Sequence, residues 1–164
     1  MSEKDKFPMT LAVRELQKEG VHFTSHLYPY EEKGGTAVSS RELGVSEHIV
    51  IKTLVMETDD KSPLIVLMHG DLQVSTKQLA RDIGVKTVSP CKPEVADRHS
   101  GYQVGGTSPF GTRKKMPVYM EKSILNCETI FINGGKRGYL ISLSPQDVVK
   151  VLKPHLVSVG IKGT

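Results

Sequence analysis

The sequence has no tryptophan and only two cysteines among its 164 residues. Cys91 and Cys127 lie far apart and no close histidine accompanies them, which argues against a structural zinc site and against a disulfide framework. No apolar run approaches the ~20 residues that a membrane helix needs, and the charged residues 1–8 lack the apolar core of a signal peptide. We therefore expect a soluble cytoplasmic protein that needs neither a metal nor another cofactor and binds no membrane.

The charge balance is only modestly basic, because 22 lysines and arginines exceed 18 aspartates and glutamates by four. Many proteins without an anionic partner carry as much charge, so the location of the cations matters more than the total. Two groups of cations flank glycine-rich stretches: Arg113, Lys114 and Lys115, and Lys136 with Arg137. This placement predicts that something anionic is held near the glycines.

The two glycine-rich stretches are the most unusual feature of the chain. The first, which we call the glycine loop, is Gly105-Gly106-Thr107-Ser108-Pro109-Phe110-Gly111. The second, the glycine turn, is Gly134-Gly135-Lys136-Arg137-Gly138. Neither composition suits the interior of a helix or strand, and backbone N–H groups without a neighbouring Cβ can approach a ligand closely. We expect both stretches to be loops that bind a ligand.

The length predicts one domain, with tails at 1–8 and 159–164 and a folded unit at 9–158. Helices and strands do not alternate regularly, which argues against a doubly wound parallel sheet and favours an α+β domain with a mixed, mostly antiparallel, curved sheet covered by helices. A hairpin is expected from the apolar runs Ile49–Met56 and Leu64–His69. The predicted helices are Leu11–Lys18, Thr36–Leu43, Thr76–Ile83, Pro93–His99 and a last one that follows Ser144 to about Lys153.

Three motifs occur in a distinctive order along the chain. They are Ile51-Lys52-Thr53-Leu54, the segment from Gly101 to Gly111 that contains the glycine loop, and the glycine turn. In this order they resemble the YbaK/EbsC family of aminoacyl-tRNA editing deacylases, freestanding relatives of the editing domain of bacterial prolyl-tRNA synthetases. The resemblance extends from Thr10 to about Leu152.

The resemblance implies a barrel-like sheet with helices around it and an enzyme, an aminoacyl-tRNA deacylase. The Lys-Thr-Leu strand and the glycine turn look most like the branch that hydrolyses cysteine mischarged on proline tRNA, with Cys-tRNA(Cys) as a further substrate. The implied partners are the acceptor end of a mischarged tRNA and prolyl-tRNA synthetase.

The resemblance also assigns roles to individual residues. Lys52 matches the family's key lysine, which orients the aminoacyl-adenosine, and Gly105 and Gly106 match the loop that binds the ester carbonyl. Tyr28 matches a position that lines the substrate pocket, although Tyr30-Glu31-Glu32 departs from the family pattern there. The further substrate-binding residues expected are Thr107, Ser108, Pro109, Phe110, Gly134 and Gly135, and the expected tRNA-binding residues are Arg113, Lys114, Lys115, Lys136 and Arg137.

The chain offers no obvious catalytic nucleophile. Ser108 and Thr107 have no histidine in an evident partner position, because the six histidines are scattered. For a cysteinyl ester, the substrate's own thiol can attack its carbonyl, an intramolecular step of high effective molarity. Two alternatives stay open: a deacylase for another amino acid, alanine or serine, and a non-catalytic module that binds a tRNA end or a nucleotide.

Overall fold

The computed structural model describes residues 7–163. The helices are α1 (Leu11–Lys18), α2 (Gly35–Leu43), α3 (Thr76–Ile83), α4 (Pro93–Ser100) and α5 (Pro145–Leu152), with short 3-10 helices at Glu47–Ile49 and Lys122–Asn126. The strands are β1 (Thr24–Leu27), β2 (Val50–Thr58), β3 (Pro63–His69), β4 (Leu72–Val74), β5 (Val88–Pro90), β6 (Val118–Glu121), β7 (Ile130–Lys136), β8 (Tyr139–Leu143), β9 (His155–Val157) and β10 (Gly160–Lys162).

Side-chain caps and glycines set the helix boundaries. The Thr10 hydroxyl accepts a hydrogen bond from Val13 N at the start of α1, and the Ser75 hydroxyl accepts one from Gln78 N at the start of α3. Gly44 and Gly84 end α2 and α3 in the left-handed conformation. Both predicted helices that rest on these caps, α1 and α3, are confirmed. Within residues 7–163, no helix is long and apolar enough to span a bilayer.

The strands form one large mixed sheet and a separate two-stranded one. In the large sheet the order is β1-β8-β7-β2-β3-β6-β9, with β5 also paired to β2. The predicted hairpin is confirmed, since β2 and β3 pair antiparallel. The pairs β2–β7, β3–β6 and β6–β9 are parallel and the remaining pairs are antiparallel. The expected mixed, mostly antiparallel sheet in an α+β domain is therefore confirmed.

The two faces of the large sheet carry two apolar cores. On one face, Ile51 and Ile65 pack with α1 and α5 residues in the larger core. On the other face, Val66 and Met68 pack against Leu79 of α3 in a smaller core. Because successive strand residues point to opposite faces, Lys52 lies on the face of the smaller core, next to Ile51 on the face of the larger one.

Four neighbouring strands place a row of residues on the face that carries Lys52. Ile51 of β2 pairs with Ile132 of the parallel strand β7. The next residues of the two strands, Lys52 and Asn133, therefore lie side by side on the same face. Asn133 pairs with Leu140 of β8, and Leu140 pairs with His26 of β1. We call Lys52, Asn133, Leu140 and His26 the Lys52 row. Lys52, Asn133 and His26 are half-buried, and Leu140 is 4% exposed.

The terminal segments are more ordered than the sequence predicts. Gly160–Lys162, predicted as tail, form β10 and pair antiparallel with β4, and Val159 is buried in the smaller core. The buried Glu121 carboxylate accepts hydrogen bonds from Val159 N and Gly160 N, at 2.7 and 3.1 Å. The other predicted tail, 1–8, lies largely outside the described residues, but Phe7 stacks on Tyr139.

The glycine turn is also more regular than expected. Gly134, Gly135 and Lys136 belong to β7, and the register between β7 and β8 shifts between Asn133 and Lys136. Only Arg137 and Gly138 make the turn between the two strands. The glycines fit there because a Cβ on Gly134 would lie 2.4 Å from the Tyr139 ring. They therefore allow a bulged strand to pack closely against its neighbours.

Candidate functional site

Lys52 is the cation of the Lys52 row. Its Nζ donates a hydrogen bond of 2.7 Å to the carbonyl oxygen of Leu72, which follows the turn between β3 and β4. Burial lowers the pKa of Lys52, while the negative charges of Glu47 and Asp71 oppose that shift. An ammonium group has three donors, so two N–H bonds of Lys52 stay free of the Leu72 contact and can serve a substrate.

Asn133 joins the glycine loop to the Lys52 row. Its side-chain nitrogen donates to the carbonyl oxygen of Gly105, at 3.2 Å. Its side-chain oxygen accepts from Gly135 N and Lys136 N, at 2.7 and 3.1 Å. One amide thus holds the glycine loop beside the strand that neighbours Lys52. Sequence reasoning missed this residue, although an asparagine just before two glycines is a common signal for a side chain that bonds the backbone two residues on.

One of the expected donors of the glycine loop is engaged by the protein's own backbone. Gly106 N donates to the carbonyl oxygen of Gln103, at 2.7 Å, so this N–H closes the loop and does not face a ligand. Among residues 7–163, the backbone N–H groups of Gly105, Thr107 and Ser108 have no protein acceptor. Gly105 is exposed and Thr107 is half-buried. The N–H groups of Gly105 and Thr107, which belong to residues that are not buried, are therefore the candidate donors of the loop.

The second half of the loop is packed inside the protein. Ser108, Pro109 and Phe110 are buried, and the Ser108 hydroxyl accepts a hydrogen bond from Phe110 N. The Tyr102 hydroxyl donates to the carbonyl oxygen of Phe110, at 2.5 Å, and burial raises the pKa of Tyr102. Phe110 packs in the larger core and so anchors this half of the loop, while the substrate-binding role expected of the three residues stays a prediction.

The glycine turn lies directly against the glycine loop. A Cβ on Gly106 would stand 2.6 Å from Arg137 N. Arg137 Nε donates to the carbonyl oxygen of Val104, at 2.9 Å, and its guanidinium lies 5.1 Å from the centre of the Tyr30 ring. Arg137 therefore clamps the two segments together. Tyr28 N donates to the carbonyl oxygen of Gly138, which brings the predicted pocket residue Tyr28 to the same place.

The other predicted tRNA-binding cations form a separate group. Arg113, Lys114 and Lys115 are exposed beside the end of α4, where Arg113 N and Lys114 N donate to the carbonyl oxygens of Ser100 and His99. Lys114 and Arg98 add to the effect of burial in lowering the pKa of His99, so these charges lie close together. The structure thus places Lys136 and Arg137 at the glycine loop and the other three cations at the end of α4.

The protein's own thiols are poor nucleophiles. Burial, assisted by Glu57, raises the pKa of Cys91 to about 11, and burial also raises the pKa of Cys127. Because the thiolate is the reactive form, both cysteines are protonated at neutral pH. Within residues 7–163, neither Ser108 nor Thr107 forms a hydrogen bond with a histidine. The serine–histidine hydrogen bonds of this part of the chain join His26 to Ser142 and the buried His69 to Ser123, each at 2.8 Å.

One group of three possible metal ligands occurs among residues 7–163: His48, His69 and Asp71. Their arrangement does not suit an ion. The two imidazole rings stack in parallel, 3.7 Å apart, so their lone pairs do not converge on one point. Both nitrogens of His69 are also engaged, Nδ1 with the His48 carbonyl oxygen and Nε2 with the Ser123 hydroxyl. The group is a hydrogen-bonded cluster, and its Asp71 is the neighbour in sequence of Leu72, which accepts the hydrogen bond from Lys52.

Comparison with known proteins gives a consistent set of relatives. The model of the aminoacyl-tRNA editing domain matches residues 31–151. EbsC of Enterococcus faecalis, described as a candidate Cys-tRNA(Pro)/Cys-tRNA(Cys) deacylase, is 26% identical over 163 residues, which is 99% of each chain. The proline–tRNA ligase of Thermodesulfovibrio yellowstonii is 35% identical over 89 residues, 54% of this chain and 15% of the ligase.

A solved structure extends the likeness to the fold. A crystal structure described as a candidate trans-editing enzyme for prolyl-tRNA synthetase superposes with a TM-score of 0.81 at 17% identity. The superposition covers 94% of this chain and 99% of the other. The glycine loop, the glycine turn and Lys52 therefore lie on a shared architecture.

Proposed function

The chain belongs to the aminoacyl-tRNA editing domain family, and from that premise we propose that it hydrolyses the ester that links cysteine to proline tRNA. The observation that carries the proposal is the meeting of three features on one face of the sheet. Lys52 lies opposite Asn133 on the neighbouring strand, and Asn133 bonds directly to the Gly105 carbonyl oxygen of the glycine loop. A cation beside backbone donors suits an ester whose carbonyl oxygen becomes negatively charged during cleavage.

Each residue has a defined task in this proposal. Gly105 N and Thr107 N donate to the ester carbonyl oxygen, and the ammonium of Lys52 binds the phosphate or ribose side of the terminal adenosine. Gly106 closes the loop through its bond to Gln103. Tyr28, whose backbone is tied to Gly138, forms one wall of the site.

The substrate supplies the nucleophile. The thiol sulfur of the cysteinyl ester bonds to the ester carbonyl carbon, and the bond from that carbon to the ribose oxygen breaks. The thiol proton ends on the released ribose hydroxyl, and water then opens the four-membered thiolactone to give free cysteine. Such a step needs positioning rather than a protein nucleophile, which agrees with the two protonated cysteines of the protein.

The surroundings of the Lys52 row favour cysteine over serine. Leu140 of the row is buried, and its neighbours Leu54 and Phe131 are half-buried on the same face. An apolar floor accepts a thiol readily, whereas a serine hydroxyl placed there loses its hydrogen bonds to water. An apolar pocket discriminates against one extra or missing methylene by only ~1–3 kcal/mol. We therefore expect an alanyl ester to compete for binding, but it lacks the thiol that the proposed cleavage needs.

The test is hydrolysis of Cys-tRNA(Pro), measured beside Ala-, Ser- and Pro-tRNA(Pro) and Cys-tRNA(Cys). Fast loss of cysteine alone would support the proposal. Loss of alanine or serine instead would move the protein to a deacylase of another specificity. Binding of tRNA without turnover of any ester would contradict catalysis and leave a tRNA-binding module.

Contact with the tRNA backbone predicts a strong salt dependence. Arg113, Lys114, Lys115 and Lys136 are exposed, and engagement of three to five phosphates gives a slope of log affinity against log salt of about −2 to −5. Titration of labelled tRNA at several potassium chloride concentrations measures this slope. A Lys114→Gln/Lys115→Gln variant should have a slope shallower by about 2, and a slope near zero in the wild type would contradict the assignment.

A further inference from the structure

Two carboxylates on different elements, those of Glu47 and Asp71, influence the charge of Lys52. Glu47 begins the 3-10 helix that precedes β2, and Asp71 lies in the turn between β3 and β4. Among residues 7–163 these are the charged groups that act on Lys52, and both favour its protonated form. The carbonyl oxygen of Leu72, next to Asp71, accepts the hydrogen bond from Lys52 Nζ. Lys52 is therefore bonded to the backbone beside Asp71, in the turn that the Thr36 hydroxyl joins to Glu47.

Glu47 is fixed by a hydroxyl of α2. The Thr36 hydroxyl lies 2.7 Å from the Glu47 carboxylate and 3.2 Å from the carbonyl oxygen of Gly70. Gly70 itself leaves no space for a side chain, because a Cβ there would lie 2.6 Å from the carbonyl oxygen of Glu47 and 2.7 Å from that of Val50. The 3-10 helix and the β3–β4 turn are thus held against each other.

Asp71 is fixed by a pair of histidines. Its carboxylate oxygens lie 2.9 and 3.1 Å from His48 Nδ1, which donates to them. The His48 ring stacks on the buried His69. His69 Nδ1 donates to the carbonyl oxygen of His48. Burial lowers the pKa of His69, so the ring is neutral at neutral pH and Nε2 accepts from the Ser123 hydroxyl. The stack therefore holds His48, and through it Asp71, in one orientation.

We propose that Glu47 and Asp71 are positioning residues for Lys52, which they keep protonated and directed along the sheet face, while the His48–His69 stack holds Asp71 in place. A half-buried ammonium is costly without nearby negative charge. A neutral amine would lose the attraction for an oxyanion or a phosphate on which catalysis depends. The catalytic part of this inference rests on the proposed function; the charge of Lys52 does not.

The charge of Lys52 can be tested without any substrate. Carbon-13 NMR of the lysine side-chain methylene groups gives the titration midpoint of each lysine, and Lys52→Arg identifies the Lys52 signal. Asp71→Asn and Glu47→Gln keep the acceptors for His48 and Thr36 but remove the charges. Removing a negative charge disfavours the cation, so the Lys52 midpoint should move to lower pH in each variant and further in the double variant.

A matched control removes a distant carboxylate. Glu94 is exposed on α4, a helix whose Ala96 packs in the larger core, on the face of the sheet opposite Lys52, so Glu94→Gln should leave the Lys52 midpoint unchanged. Each single variant tests the inference if the double variant does not fold. An unchanged midpoint in folded Asp71→Asn and Glu47→Gln would overturn it.

The activity readout separates this inference from the proposed function. After subtraction of spontaneous hydrolysis, the ratio of the deacylation rate at pH 8.5 to that at pH 6.5 should be lower in the double variant than in the wild type. A moved midpoint with no change in rate would overturn the positioning role. If Lys52→Ala hydrolyses the ester normally, the proposed function of Lys52 fails, whereas a moved midpoint would still show that the two carboxylates set its charge.

Discussion

Replacing Lys52 with alanine is expected to lower the hydrolysis of Cys-tRNA(Pro) at least about 100-fold, which corresponds to about 2.7 kcal/mol of transition-state stabilisation. The physical reason is the loss of the lysine cation of the Lys52 row, which lies opposite Asn133, the residue that bonds to the glycine loop. Single-turnover rates at saturating protein measure this loss without interference from product release.

The control for this variant is a lysine of the same fold that makes no contact with the site. Lys77 is exposed on α3, so Lys77→Ala should hydrolyse the ester at the wild-type rate. Melting temperatures of both variants show whether the fold is intact. A Lys52→Ala rate within threefold of the wild type, in folded protein, would remove Lys52 from the site.

Replacing Gly106 with alanine is expected to lower the rate about 30-fold or more while the protein stays folded. The added Cβ would lie 2.6 Å from Arg137 N and 2.8 Å from the carbonyl carbon of Lys136. Because these are backbone atoms, the glycine loop must move away from the glycine turn, and the donors of Gly105 and Thr107 move with it. Overpacking of this kind costs about 1–3 kcal/mol of stability.

Gly44→Ala is the matched control for the glycine substitution. Gly44 ends α2 with φ of 68°, and a Cβ there would meet nothing within 4 Å. Alanine in this conformation costs about 1 kcal/mol, so stability falls by a similar amount without displacement of the loop. At a temperature well below both melting temperatures, Gly44→Ala should hydrolyse the ester at the wild-type rate and Gly106→Ala should be slower. Equal rates for the two variants would show that the Gly106 backbone position does not matter for catalysis.

Local signals in the sequence were enough for the elements with their own caps or turns. The Thr10 and Ser75 caps predict α1 and α3 with correct bounds, and the turn at Asp59–Pro63 predicts the β2–β3 hairpin. The three-residue strands β4, β9 and β10 carry no such signal, because so short a strand is defined only by its partner. The parallel pairs of the sheet depend on contacts distant in sequence and could not be predicted.

The candidate site divides in the same way. Lys52 and the two glycine segments were identified from their residue types, and the resemblance assigned their roles. Two features of the glycine loop depend on how it folds back on itself and were not predicted from the sequence. Gly106 N donates to the Gln103 carbonyl oxygen, and Phe110 is buried in the core. The approach of Glu47 and Asp71 to Lys52 arises only when the β3–β4 turn meets the 3-10 helix.

The pairing of β4 with β10 has a consequence for the time at which the site forms during synthesis. Lys52 donates to Leu72, the first residue of β4, and β4 pairs in its own small sheet with residues 160–162. The Glu121 carboxylate fixes the start of β10 by accepting hydrogen bonds from Val159 N and Gly160 N. Chains fold on the ribosome from the N-terminus onward, so the hairpin of β2 and β3 can form early. The anchor of Lys52 is complete only after residues 160–162 have left the exit tunnel, and a nascent chain therefore carries an unfinished site.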